Sequence, residues 1–287
     1  MIASNANAAG RIDRAFVSID EGQVHLRQIV AADPVHVPLF LFHASPSSSR
    51  WMEPMMRALA GRGRTVIAPD TLGNGDSPAP ALAEPDIAYF ADSVVRLADA
   101  LGIDRFDVYG THTGARIACE LAAAYPTRVA HAVLDGITDY GDAMRDKILA
   151  HYAPKIVPDE YGAHLIWAFN FVRDQALFFP HFEKIPANRL NGPMPSPQIL
   201  HDAALDVLKA FDTYPLPYLA AFRYRALDRM PLIAAPVLLL KADSELAILN
   251  ASVAAAAAAI PRATIAAVAS DPAAKAAAIG AFLDTSA

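Results

Sequence analysis

Between an apolar run at 106–109 and a helical pattern beginning at residue 114, the chain reads Tyr109-Gly110-Thr111-His112-Thr113-Gly114. One imidazole thus stands between two glycines. With an ordinary pKa of about 6.5, an imidazole gives and takes protons near neutral pH, so acid–base chemistry is the first candidate for His112. Other reactive side chains read differently. Ser45, Ser47, Ser48 and Ser49 form a run of the kind that commonly caps a following helix. Cys119 lies about two turns into the helix after His112 and suits a small buried apolar position. A metal site made from His43, His112 and a carboxylate lacks H-x-x-x-H or comparable ligand spacing, and none is expected. Gly110 to Gly114 also lacks the G-x-G-x-x-G spacing of a dinucleotide loop, and no cofactor is expected. His25, His36 and His131 read as surface or packing residues. His151, His164, His181 and His201 remain candidates to reach a pocket.

These residues need elements to hold them. Apolar strand-like runs alternate with helical patterns, which points to a mostly parallel sheet wrapped by helices. An opening hairpin is expected over 14–19 and 23–30, followed by strands over 38–43, 64–68, 106–109 and 129–134. Helices are expected over 51–61, 86–101 and 114–125. The alternation stops from about residue 138 to residue 230, where 14 of the 24 Phe, Trp and Tyr residues fall. It resumes with strands at 237–240 and 264–268 and a last helix over 272–283. An inserted helical cap (138–230) between two parts of an α/β core (1–137 and 231–287) accounts for this. Ligands of open α/β sheets lie beyond the carboxyl ends of the strands, so the site is expected beneath the cap. Within the cap, Trp167, Arg173 and Phe178 are the candidate substrate contacts, Arg173 as a receptor for a carboxylate or as a bridge to Asp174.

Composition bounds the rest. The 287 residues are 54% hydrophobic, enough to bury a core in one domain with an inserted lobe. A net charge of −6 gives no basic footprint for nucleic acid or an anionic membrane. No apolar run reaches bilayer length, and residues 1–10 read as a frayed end rather than a leader. The single cysteine fits a reducing cytoplasm. A small-molecule substrate is the expected partner; composition says nothing of oligomeric state.

Three segments together resemble the α/β-hydrolase superfamily, in the right order and over nearly the whole chain. His43-Ala44-Ser45-Pro46 is similar to its oxyanion loop. Pro69-Asp70 with Gly73, Gly75 and Ser77 is similar to its P-D-x-x-G-x-G-x-S loop. Gly110-Thr111-His112-Thr113-Gly114 resembles its G-x-S-x-G nucleophile elbow, with histidine in place of the central serine. The resemblance implies an α/β-hydrolase fold, a mostly parallel sheet flanked by helices, with an inserted helical cap.

It also implies positions for the chemistry. The elbow residue projects into the pocket, so His112 should do so. The N–H of Thr113 should serve as one oxyanion donor and that of Ser45 as the second, since Pro46 has none. The family's acid falls at Glu245, with Asp243 a rival and Asp135 a third position. The family's histidine before the last helix is missing, because the final histidine of the chain is His201. His43 is expected to support the oxyanion loop. The implied function is an atypical hydrolase or lyase-like enzyme acting on a small, largely apolar carbonyl compound, with His112 as general base. Acyl transfer through His112 as nucleophile, or a catalytically silent ligand-binding protein, are the alternatives.

Overall fold

The computed structural model describes residues 10–285; the expected fraying of the opening stretch falls almost wholly outside them. One eight-stranded sheet runs through the molecule in the order β1-β2-β4-β3-β5-β6-β7-β8. Its strands are β1 (Asp13–Ile19), β2 (Gly22–Ile29), β3 (Leu39–Phe42), β4 (Val66–Pro69), β5 (Phe106–Thr111), β6 (Val129–Asp135), β7 (Val237–Ala242) and β8 (Ala263–Val268). The opening hairpin pairs antiparallel with itself and, through β2, with β4; the remaining pairings are parallel. β3, β4 and β6 are buried at every residue, as strands covered on both faces must be.

Alternation along each strand sends side chains to two cores. Phe40 and Phe42 of β3 pack with Phe90, Ile117, Leu134 and Leu239 on one face. That face is covered by α2 (Ile87–Ala100), α3 (Thr113–Ala124) and α9 (Ala247–Ala259). Leu39 and Leu41 point the other way, to Met55 and Met56 of α1 (Glu53–Leu59) and Ile279 and Leu283 of α10 (Pro272–Thr285). α2 starts where Asp86 accepts the Tyr89 N–H at 2.8 Å, an N-cap that satisfies one orphan donor. The helix expected over 51–61 is shorter, since a 3₁₀ turn (Ser49–Met52) precedes α1 and Pro54 sits in its first turn.

Between β6 and β7 lie α4 (Asp142–His151), α5 (Ala163–Leu177), α6 (Pro197–Lys209), α7 (Pro215–Arg223) and α8 (Ala226–Arg229). The aromatic residues of this insert make its own cores, one around Phe171, Val207 and Tyr214, another around Tyr140, Tyr152 and Phe222. Polar bonds tie it to loops at the carboxyl ends of β3 and β4. Asp206 accepts from Ser48 Oγ at 3.2 Å and Trp51 Nε1 at 2.6 Å, and Thr213 donates to the Gly73 carbonyl at 2.6 Å.

Candidate active site

His112 occupies the sharp turn between β5 and α3, with φ 52° and ψ −106°, and is the one non-glycine residue at positive φ among those described. Such backbone costs about 1–3 kcal/mol and persists only where the surroundings enforce it. The enforcing contacts are glycines. A Cβ on Gly110 would stand 2.0 Å from the Gly114 carbonyl oxygen, and one on Gly114 would stand 2.2 Å from that of Phe42. Backbone packed this closely leaves no room for any side chain. The turn lifts the imidazole clear of the main chain into a cavity of about 280 Å³, which it lines with Ala44, Ser45 and Thr113.

Glu245, three residues beyond β7, brings Oε2 to 3.2 Å from His112 Nε2. Its other oxygen accepts the Leu246 N–H at 2.7 Å. Burial alone would raise the carboxyl's pKa, but the His112 contact and the Leu246 bond outweigh it and hold it below the ordinary value. Gly136, at φ +74°, closes the far side of the pair. A Cβ there would lie 3.0 Å from Glu245 Oε2 and 3.4 Å from the imidazole.

Asp243, the rival acid, is not beside His112. It accepts from Ser270 N at 3.0 Å and Ser270 Oγ at 2.8 Å, so it ties the β8–α10 loop and stays at the surface. The chain turns between the two acids, with the Glu245 N–H donating to the Ala242 carbonyl at 3.3 Å, so Asp243 faces the surface while Glu245 meets the imidazole. Asp135 is fully buried, and one oxygen takes both the Tyr109 hydroxyl at 2.8 Å and the Lys275 ammonium at 2.6 Å.

The loop after β3 lies against the elbow. The Ser45 N–H meets Thr113 Oγ1 at 3.4 Å, which sets the two donor-bearing residues side by side, both buried. Thr113 opens α3, where the first backbone N–H groups have no intrahelical acceptor. His43 is buried with both ring nitrogens engaged: Nδ1 lies 2.7 Å from the Ala44 carbonyl and Nε2 accepts the Thr71 N–H at 3.0 Å. One nitrogen donates and the other accepts, which fixes a neutral tautomer, and burial lowers its pKa. The serine run is largely engaged: Ser47 donates to the Ala44 carbonyl, Ser48 to Asp206, and Ser49 Oγ accepts from Arg27. Cys119 is buried, and burial pushes its thiol up to about 12.

Three residues of the insert expected as substrate contacts lie elsewhere. Trp167 stacks on Phe171 inside the insert. Arg173 bonds Asp174 at 2.8 Å, so the bridge reading of that pair is the one the geometry matches. Phe178 lies beneath Arg189, whose guanidinium carbon is 5.8 Å from the ring centre. The insert instead reaches the His112 cavity with Tyr140, Tyr152, Phe179, Tyr218 and Phe222. Buried His181 donates from Nε2 to the Tyr152 carbonyl at 2.9 Å, one layer behind. The residue most plainly missed is Arg116, which lines the cavity one helical turn after the apex. The i, i+4 spacing from His112 was the available signal, since residues so spaced share a helix face.

The sheet order, the elbow and the loops at its rim define the class. A sequence profile of the alpha/beta hydrolase fold matches residues 37–271, and the chain belongs to that family. Over 102 residues it is 40% identical to a 2-hydroxymuconate semialdehyde hydrolase of Pseudomonas sp. (strain CF600), spanning 34% of this chain and 36% of that protein. The match therefore spans about a third of the curated relative's length. Among solved structures, a bacterial membrane phospholipase A superposes with a TM-score of 0.72 at 21% identity, covering 96% of this chain and 87% of that one. The enol-lactonase from Burkholderia xenovorans LB400 superposes with a TM-score of 0.67 at 18% identity, covering 94% and 97%. At such identities the structures speak for the fold alone. No described helix is long and apolar enough to cross a membrane.

Proposed function

We propose that this chain is a hydrolase of small, largely apolar carbonyl compounds that uses His112 itself as the general acid–base, with the helical insert as a cap over the site. The observation that carries the reading is the His112–Glu245 pair at the elbow, 3.2 Å apart, with the imidazole lining the cavity. A carboxylate only accepts, so Nε2 carries the proton toward Glu245 and Nδ1 keeps its lone pair. Nδ1 takes a proton from a water as that oxygen bonds to the substrate carbonyl carbon. The carbonyl electrons move onto its oxygen, where the N–H groups of Ser45 and Thr113 receive the charge. Collapse of this intermediate expels the leaving group, which takes the proton back from the imidazolium. Glu245 stabilises the imidazolium between the two transfers. The hydrolase names of the sequence relatives support this reading over a lyase that stops at an enolate.

The test is turnover of a panel of small esters, lactones and β-dicarbonyl compounds, with binding followed in parallel. His112→Gln should fold and bind while losing about 10²–10⁴-fold in rate. His112→Ser should not recover activity, because no second histidine stands ready to activate a hydroxyl. Equal turnover by wild type and His112→Gln would end the proposal. So would rapid labelling of a pocket serine in the wild type by an organophosphorus reagent.

A further inference from the structure

Arg116 is a cation without a counter-ion in the wall of the His112 cavity. It is only 4% exposed. Its guanidinium donates to two neutral carbonyls, from Nη1 to His112 at 3.1 Å and from Nη2 to Thr138 at 2.9 Å. Its Nε is buried with no partner, and no carboxylate among the described residues forms an ion pair with it. Helical spacing would offer Glu120, four residues on, but both oxygens of Glu120 are gripped by Arg229 at 2.8 Å. The other buried arginine, Arg64, has Asp107 as its partner. A buried charge left unpaired is strongly unfavourable, and compensation has to come from somewhere.

We propose that the compensation comes from the ligand: Arg116 anchors a carboxylate, and the cavity takes a small carboxylic acid whose reacting carbonyl lies beside His112. The planar fork of a guanidinium matches a carboxylate in a way no other side chain does. The Tyr140 ring, 6.0 Å from the guanidinium carbon, backs that plane. The cavity's remaining aromatic wall suits an apolar body between the two polar ends. Lys275 is the rival cation, in a neighbouring cavity of about 400 Å³ that shares Ala44, Ser45 and Gln175. It is already neutralised by Asp135 at 2.6 Å. Placement of the reacting carbonyl rests on the proposed role of His112; anchoring of the carboxylate does not.

The experiment compares binding of benzoylpropionate and its primary amide by titration calorimetry, which needs no turnover. Wild type and His112→Gln should both prefer the acid by about 10- to 100-fold, the range expected of a charge-assisted bond. Arg116→Met should bring the acid down to the level of the amide and leave the amide unchanged. Lys275→Met should keep the preference. An equal affinity of wild type for acid and amide would overturn the proposal, as would a preference that survives Arg116→Met or vanishes in Lys275→Met. Should Arg116→Met not fold, the wild-type and Lys275→Met comparisons still decide it. Acid preference through Arg116 without turnover of any panel compound would remove the hydrolase reading and leave this one standing.

Discussion

An apex serine needs a base brought to it, whereas an apex imidazole, on the function proposed above, is itself the base and needs only orientation. In this chain Glu245 supplies the orienting contact to His112. The amide of Glu245→Gln can donate to Nε2 and place the ring proton on Nδ1, where the lone pair is required. Glu245→Gln should therefore lose about 10²–10⁴-fold in kcat, and more than Glu245→Ala, which imposes no tautomer. Steady-state rates of the two variants check the order; a Gln variant faster than the Ala variant would contradict it. Gly136→Ala tests the same pair from outside. Its methyl would press on Glu245 Oε2 at 3.0 Å from a backbone at φ +74°. We expect a fall in kcat and a loss of about 1–2 kcal/mol in stability, read from urea melts.

At the scale of elements, the site depends on two close approaches of backbone that side chains cannot adjust. The β3, β5 and α3 segments meet at Gly110 and Gly114, where an added methyl would collide with carbonyl oxygens. Gly114→Ala should cost about 3 kcal/mol or more, visible as lost soluble yield or a collapsed melting temperature. The insert is held differently, by polar latches. Buried Asp206 joins α6 to Ser48 and Trp51 in the segment that follows the β3 loop. Asp206→Ala should cost about 2–3 kcal/mol, because bonds to a charged group are lost and two donors are stranded. Circular dichroism melts measure it, and an unchanged melt would show the latch to be idle.

Across the whole molecule, stability is tied to buried carboxylates that must stay ionised. Asp70 is the clearest. Burial opposes its charge, but His25, the backbone N–H of Asp76 and that of Ser49 bind it and hold its carboxyl far below the usual range. A depressed carboxyl contributes stability that is fully present above its unfolded-state value of about 4. That contribution is lost progressively as pH falls from there toward the native value. Glu245 acts with the same sign. Melting temperature should thus stay level from neutral pH down to about pH 5 and fall steeply below about pH 4. Asp70→Asn should be less stable at pH 7 by about 3–5 kcal/mol and show a shallower acid decline. Parallel curves for the two proteins would remove Asp70 from this role.

How much of this could be read before the fold was known follows from the range of the interactions involved. Periodicity, glycine placement and turn chemistry are local. They were enough for the strand and helix order, for the elbow around His112 and for the place of the inserted helices. The family resemblance reduced the acids near β7 to Glu245 and Asp243, but a turn of the chain between them sends one to the imidazole and the other to the surface. Which of them meets the imidazole depends on that turn and on the tie of Asp243 to Ser270 across the β8–α10 loop, a contact between segments far apart in the chain. The inserted helices showed the limit most clearly. Composition marked Trp167, Arg173 and Phe178 as notable, yet aromatic residues fill a small core as readily as they roof a cavity. Only their partners distinguish the two uses: Phe171 for Trp167, Asp174 for Arg173 and Arg189 for Phe178. Arg116 carries the same lesson in reverse. Its neighbour at helical spacing, Glu120, suggests an ordinary surface pair. The tertiary structure gives Glu120 to Arg229 and leaves the Arg116 guanidinium buried at the cavity wall, because burial and pairing are properties of the assembled layers and not of the chain's local pattern.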